Sequence, residues 1–320
     1  MMAIGLPSPW LSGGMVAIAI AAMTGIPVSM PTLAVRGLMV VLGVSIGSGV
    51  TPDTLRGVVL WPGSILVLAG TVAAIVAAST AFLRRMPGYD AETALYASVP
   101  GALTAVLATA AGAKADVARV AIVQNLRLFI LIAVVPSAAG SALPLSVEQA
   151  TLPELALLFG AGLVCGVVLE RTRMPAGLLI GAMLPSAFLH GTGFIEARLP
   201  DPISMAAFLG LGAYVGLRFR DLSSTALLRE AVPALGSFLI TTAVAMVGAL
   251  TVWGLLGVPM AEAVLAFAPG ALEGMTALAF SLHLDPAYVG AHHLARFLGI
   301  AFMLPIVAMW MRRHSSSTAT

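Results

Sequence analysis

Two arginines occupy matching places in two long apolar segments of this sequence. Arg127 lies ten residues after Val117, where one segment begins. Arg296 lies ten residues after Pro286, where the other begins. At 1.5 Å of rise per residue, each guanidinium would lie about 15 Å deep, half of a hydrocarbon core about 30 Å thick. A charge at that depth is costly, so it should face the protein interior and either bind a ligand or hold a structural partner.

Polar residues stand about one helical turn before each arginine. Gln124 and Asn125 occupy these positions in the first segment, and His292 and His293 occupy them in the second. Because residues three or four apart share a helix face, Gln124, His292 and His293 are predicted to lie beside the arginines. A lone buried histidine is usually only hydrogen-bonded, but two adjacent histidines beside an arginine favour a proton-handling site.

A Pro-Gly pair interrupts an apolar segment upstream of each arginine, at Gly101 and Gly270. This pair should break a helix, and the half-helix after it would present unpaired N–H groups that attract an anion. Glu273 lies in the first turn of the second half-helix, where the first copy has Thr104. Glu273 is expected either to pair with Arg296 or to take up a proton or cation. The summed central charge remains positive, which predicts a small organic anion between the hairpin tips.

The matching places arise from an internal duplication. The stretch 100–136 aligns with 269–305 without a gap, and 11 of 37 positions agree. The duplication is predicted to cover most of the chain, and its paired glycines are expected to permit close helix packing. The same shift of 169 residues aligns Gly43 with Gly212 and Gly47 with Gly216. A shift of 168 residues aligns Leu11 with Leu179.

The duplication divides the chain into four predicted parts. They are a first repeat (1–136), a linker (137–151), a second repeat (152–311) and a cytoplasmic tail (312–320). The apolar segment 152–169 has no counterpart in the first repeat, which is therefore expected either to lack its first helix or to begin upstream of Met1. The N-terminus lacks the positively charged opening of a signal peptide, so it is expected to belong to the mature chain.

The composition is that of an integral membrane protein. Hydrophobic residues make up 59% of the chain and charged residues 9%, whereas a soluble domain carries about 25% charged residues. The sole cysteine, Cys165, lies in an apolar run and excludes an intramolecular disulfide or a thiolate metal cluster. Eleven apolar segments are predicted, at 10–25, 33–50, 61–83, 93–112, 117–135, 152–169, 175–192, 202–217, 231–256, 262–282 and 286–310.

The basic residues in the loops between the apolar segments favour one membrane topology. If all eleven segments cross, these residues split six against eight, and the positive-inside rule gives no orientation. If the two Pro-Gly segments are re-entrant hairpins, only Arg56 and Arg198 lie on one side. The other twelve then predict a cytoplasmic C-terminus in a bacterial inner membrane. They are Arg36, Arg84, Arg85, Lys114, Arg119, Arg171, Arg173, Arg218, Arg220, Arg229, Arg312 and Arg313.

This topology gives each complete repeat five crossing helices and one hairpin. Five is an odd number, so the second repeat must be inverted relative to the first. The predicted fold is an all-α polytopic membrane protein with two inverted repeats, about nine transmembrane helices and two re-entrant hairpins. Inverted repeats with broken helices that meet near the midplane are typical of secondary transporters.

The motifs resemble the duplicated AbrB membrane family, whose members are often labelled ammonia monooxygenases or AbrB family transcriptional regulators. The sequences PGALEGM at 269–275, LDP at 284–286 and HHLAR at 292–296 keep most of the family pattern. The first copy, PGALTAV at 100–106, lacks the Glu and Met of that pattern. The resemblance covers nearly the whole chain.

The residue types in this sequence argue against both family labels. A monooxygenase needs a cluster of metal ligands, and of the five histidines only His292 and His293 could share a site, so neither an enzyme nor a metal cofactor is expected. A DNA-binding regulator needs a soluble basic module, which these loops have no room for, so no nucleic-acid partner is expected.

The sequence predicts a secondary transporter of a small organic anion, with the lipid bilayer as its surroundings. A membrane sensor that affects gene expression indirectly is the alternative, and a metal-dependent monooxygenase is third. A homo-oligomer is compatible with the sequence.

Overall fold

The computed structural model describes residues 9–52, 59, 61–139, 149–172, 176–220 and 222–317. Thirteen α-helices form within these ranges, and a 3₁₀ turn, Leu217–Phe219, follows the ninth. In chain order they are α1 (Pro9–Met23), α2 (Thr32–Gly47), α3 (Trp61–Leu83), α4 (Ala91–Ser98), α5 (Leu103–Ala111), α6 (Val117–Ala139), α7 (Leu152–Arg171), α8 (Gly177–Gly191), α9 (Asp201–Gly216), α10 (Ser224–Leu256), α11 (Met260–Phe267), α12 (Leu272–Ser281) and α13 (Pro286–Ser317).

Six stretches of helix in the described ranges are long and apolar enough to cross a membrane. Shorter apolar helices at Trp10–Met23, Thr32–Gly47 and Gly177–Gly191 accompany them. The coarse prediction of an all-α polytopic membrane protein is therefore confirmed. The number of crossings and the inverted repeats remain predictions. The six stretches are Trp61–Leu83, Val117–Val134, Leu152–Arg171, Asp201–Phe219, Thr225–Leu256 and Pro286–Leu304.

The chain forms two compact units that differ from the two predicted repeats. The first unit contains residues 1–61, 132–222 and 273–290, and the second contains 62–131, 223–272 and 291–320. Each unit takes segments from both halves of the sequence. The boundaries 1–136, 137–151, 152–311 and 312–320 describe the duplication along the chain and remain a prediction.

Close helix pairs form the first unit. Helix α1 packs against α9, α2 packs against α8, and α7 also packs against α8. A Cβ on Gly43 would collide with the carbonyl oxygen of Leu179, and one on Gly212 would collide with that of Leu11. A Cβ on Gly47 would lie 2.6 Å from the carbonyl oxygen of Met183. Only glycine lets these backbones approach so closely, as the small-residue spacing predicts.

The second unit contains a helix that is interrupted at a Pro-Gly pair. Helix α4 ends at Ser98, and α5 begins at Leu103 after two residues with positive φ, Gly101 (83°) and Ala102 (52°). The left-handed conformation suits glycine and stops the first helix before the second can begin. The second Pro-Gly pair likewise separates α11 from α12. Both interruptions fall inside segments that the sequence analysis predicted to be broken.

Helix α10 is longer than the apolar segment 231–256 that predicted it. It begins at Ser224, where the Ser223 side chain accepts a hydrogen bond from the backbone N–H of Ala226 at 3.2 Å. The added turns include Ser224, Thr225, Arg229 and Glu230, so a search for apolar runs could not include them. Pro233 lies inside the helix and does not end it.

Candidate functional site

Both long helices that carry the candidate arginines begin at an aspartate cap. The Asp116 side chain accepts the backbone N–H of Arg119 at 3.1 Å, which fixes the start of α6. The Asp285 side chain accepts the backbone N–H groups of Ala287 and Tyr288 at 2.8 and 3.1 Å, at the start of α13. An aspartate at this position satisfies backbone N–H groups that have no partner within the helix.

Arg127 holds the end of the first half-helix. Its guanidinium donates to the carbonyl oxygens of Ser98 at 3.4 Å and Val99 at 2.8 Å, and the residue is only 2% exposed. These carbonyls lie where α4 ends, so they carry the partial negative charge of a helix C-terminus. Arg127 therefore offsets that charge from inside the second unit.

Arg296 makes the corresponding contact at the second break. It donates to the carbonyl oxygens of Ala268 at 2.7 Å and Gly270 at 2.6 Å, and it is also buried. The acceptors Val99 and Ala268 are aligned with each other in the duplication, just as the two arginines are. The two guanidiniums thus hold equivalent carbonyls in the two copies.

Gln124 and His293 form a second equivalent pair. The Gln124 amide donates to the carbonyl oxygen of Tyr96 at 3.0 Å, and Nε2 of His293 donates to that of Leu265 at 2.9 Å. Tyr96 and Leu265 are again aligned positions of the two copies. Nδ1 of His293 also accepts an N–H of Arg296 at 2.7 Å, so His293 lies beside the arginine as predicted from its spacing.

The two histidines contact different elements. Nε2 of His292 lies 2.7 Å from the hydroxyl oxygen of Ser64 on α3, and its ring centroid is 6.1 Å from that of Phe267. His292 therefore joins α13 to α3, whereas His293 contacts Arg296. Sequence reasoning did not identify Ser64, because a lone serine in an apolar helix carries no distinctive pattern.

Residues near the first break lie close to Arg296. A Cβ on Gly101 would lie 3.5 Å from Nε of Arg296 and 3.7 Å from the carbonyl oxygen of Gly270. The two breaks therefore meet within the second unit. Within this unit, neither Arg127 nor Arg296 has a carboxylate partner among the described residues.

The remaining candidates have separate surroundings. Asn125 is buried, and its Oδ1 accepts no hydrogen bond from a described residue. Glu273 lies in the first turn of α12 and belongs to the first unit, so its pairing with Arg296 remains a prediction. Thr104 lies in α5, but its side chain is outside the described part of the structure.

A metal site has no support among these residues. In the ranges that the structure describes, no three His, Cys, Asp or Glu side chains are placed to hold an ion together. The expectation that the protein needs no metal cofactor remains a prediction. What the arrangement offers instead is a buried region rich in N–H donors.

Comparison with known proteins places this arrangement in a family. The family model described as "Transition state regulatory protein AbrB" matches residues 10–312. An Escherichia coli (strain K12) protein named "Putative regulator AbrB" is 27% identical over an alignment of 329 positions, which covers 98% of this chain and 93% of the relative. A Bacillus subtilis (strain 168) protein named "Uncharacterized protein YhjN" is 25% identical over 247 residues, or 70% of this chain and 64% of that relative.

Proposed function

Because the chain belongs to the AbrB family and has helices long and apolar enough to span a membrane, we propose that it is a secondary transporter. Its substrate is a small organic anion such as a carboxylate. The anion binds near the membrane midplane, where the two helix breaks of the second unit meet. The protein acts as a carrier rather than as an enzyme.

The observation that carries this proposal is the pair of buried guanidiniums. Arg127 and Arg296 lie in one unit, and in that unit no carboxylate among the described residues neutralises them. Two unneutralised charges in a poorly solvated interior are costly, and a bound anion would offset part of this cost. Each guanidinium has five N–H donors, more than its contacts with described residues use.

The helix ends add positive potential at the same place. The arginines offset the carbonyl ends of the first half-helices, at Val99 and Ala268. The first N–H groups of α5 have no partner within the helix and keep their partial positive charge. The surplus at the break is therefore positive, which favours an anion over a cation.

Matched contacts support the duplication that an inverted-repeat transporter requires. Arg127 and Arg296, and likewise Gln124 and His293, reach acceptors that occupy aligned positions in the two copies. A duplicated unit would produce such pairs. In known secondary transporters, motion of one bundle against another around a fixed site exposes it to each side in turn.

Contacts at the two ends of the first broken segment support a hairpin. The backbone N–H of Lys114, just beyond α5, donates to the Glu92 carboxylate near the start of α4 at 2.6 Å. The backbone N–H of Asp116 donates to the hydroxyl of Thr93 at 2.9 Å. A segment that crossed the membrane fully would have its ends about 30 Å apart.

Uptake into proteoliposomes tests the proposal. A small set of radiolabelled carboxylates is offered to wild type, Arg127→Gln and Arg296→Gln protein. Each substitution should lower uptake of the accepted carboxylate about 10- to 100-fold, because a hydrogen bond to a charged group contributes about 1.5–3 kcal/mol. The exposed Arg36→Gln change is the matched control and should leave uptake unchanged.

Two further measurements separate function from folding. Arg296→Lys keeps the charge but loses the forked geometry, so it should retain more uptake than Arg296→Gln. Size-exclusion profiles and thermal stability identify any variant that fails to fold. Uptake unaffected in both folded glutamine variants would remove the proposal.

A sensor is the second candidate, because one relative is named a regulator. Such a protein would bind the same anion at the same arginines and alter gene expression indirectly. It should show ligand binding without net flux, whereas a transporter should show counterflow. Stoichiometric metal in the purified protein would instead favour the monooxygenase suggested by the family labels.

A further inference from the structure

A long apolar cleft runs along the second unit between α3 and α13. Its volume is about 820 Å³, and Leu95 of α4 and Val99 just after it also line it. Small side chains such as Ala73 and Ala77 on α3 and Gly299 on α13 leave the space open. Apart from Thr80 and two arginines, Arg84 and Arg296, the lining is apolar.

The dimensions of the cleft fit a hydrocarbon chain. It extends along α3 from Ile65 to Arg84, the residue directly after the helix, over about 28 Å. This length is close to that of a hydrocarbon core about 30 Å thick. An acyl chain of one lipid covers about half of that thickness, so the cleft is long enough to hold one along its length.

A cation lies at one end of the cleft. Arg84 directly follows α3, is exposed, and forms no ion pair with a described residue. Its neighbour Arg85 donates instead to the carbonyl oxygen of Ala81 at 2.7 Å and does not line the cleft. The cleft thus combines an apolar slot with a single exposed guanidinium at its end.

We propose that this cleft binds an anionic phospholipid of the surrounding bilayer. One acyl chain lies between α3 and α13, and the lipid phosphate pairs with the Arg84 guanidinium. An apolar slot along a helix long enough to cross the membrane is in reach of lipid chains, and a guanidinium favours a lipid head with a net negative charge over a zwitterionic or neutral head. This inference does not depend on the proposed transport.

Native mass spectrometry of the full-length protein tests the site with phosphatidylglycerol and phosphatidylcholine as probes. Wild type should retain more phosphatidylglycerol than phosphatidylcholine. Arg84→Gln should weaken phosphatidylglycerol binding about fivefold and bring it near the value for phosphatidylcholine, since one basic residue contributes that much attraction to an anionic lipid. Arg85→Gln is the matched control and should leave the preference unchanged.

A second pair of variants tests the slot. Ala77→Phe should fill the cleft and lower the retention of both lipids, whereas Ala74→Phe, exposed on the same helix but outside the cleft, should not. Comparable thermal stability of the two variants excludes misfolding as the cause. Equal retention of the two lipids by wild type, equal losses in the Arg84 and Arg85 variants, or a lipid-free dimer would each overturn the proposal.

Discussion

At the scale of single residues, the hydrogen bonds of His293 fit one protonation state. Arg296 can only donate, so Nδ1 of His293 must accept, and Nε2 must carry the proton that is donated to Leu265. A second proton on Nδ1 would displace the guanidinium N–H. Gln124 makes the equivalent backbone contact in the first copy but cannot titrate. The two copies therefore make the same backbone contact through different neutral side chains.

This arrangement predicts that His293 stays neutral while the anion binds. A second proton on the ring would have to displace the N–H of Arg296 and place two positive charges side by side in a buried position, so anion affinity should show no rise that depends on His293 between about pH 8 and pH 5. His293→Gln should retain binding with the pH profile of wild type, because glutamine also supplies one acceptor and one donor. The control is His292→Gln, which removes the histidine that contacts Ser64. Ligand titrations across this range measure the affinity, and a rise at low pH that disappears in His293→Gln would refute the assignment.

A pH effect on stability is expected from a histidine outside the membrane-spanning helices. Burial and the nearby positive charge of Arg198 lower the pKa of His283, in the loop after α12. The unfolded chain therefore binds the proton more readily, so stability should be lost as the pH falls through about 6.5, the ordinary histidine value.

The replacement His283→Asn should flatten this acid dependence. Asparagine tolerates the positive φ of 55° at that position, so the backbone should remain unchanged. Thermal unfolding of wild type and variant at several pH values provides the measurement. Parallel curves for the two proteins would show that another group is responsible.

At the scale of elements, close helix approach in the first unit depends on glycine. A Cβ on Gly47 would lie 2.6 Å from both the carbonyl oxygen of Met183 and the Cβ of Ser186, so Gly47→Ala must push α2 away from α8. We expect a loss of about 1–3 kcal/mol of stability, the usual cost of overpacking. Gly37→Ala on the same helix meets no atom within 4 Å and is the control. A lower melting temperature for Gly37→Ala than for Gly47→Ala would contradict this account.

The elements also show which features a sequence can predict. The breaks near Gly101 and Gly270 were predictable, because proline and glycine act on the backbone locally. The contact of His292 with Ser64 was not, since these residues are 228 positions apart and neither has a distinctive neighbourhood. The cleft beside Arg84 likewise depends on which helices pack together. The spacing of apolar residues in the sequence does not indicate these packing partners.

At the scale of the whole molecule, the duplication and the compact units describe different properties. Sequence comparison finds like segments along the chain, whereas compactness reports which segments pack together. The segment 62–131 and residues 223–272 come from different predicted repeats but belong to one unit. The arginines could therefore be predicted as a pair from the alignment, but their shared unit required the three-dimensional structure.

The whole-molecule topology predicts where the first broken segment begins and ends relative to the membrane. Single cysteines replace Arg85 or Lys114, which flank the segment, in a Cys165→Ser background because Cys165 is exposed. In right-side-out vesicles, an impermeant maleimide should leave both positions unlabelled, and it should label both once the vesicles are opened. Arg198→Cys is the control from the opposite face and should react in intact vesicles.

The contact between Lys114 and Glu92 gives the physical reason for this expectation, because it holds the two ends of the segment together. A hairpin returns to the face from which it entered, and its flanking arginines and lysines then contribute to one positive side. If Lys114→Cys reacted from one side and Arg85→Cys only from the other, the segment would cross completely. The twelve-to-two distribution of basic residues would then disappear, and with it the argument for inverted repeats.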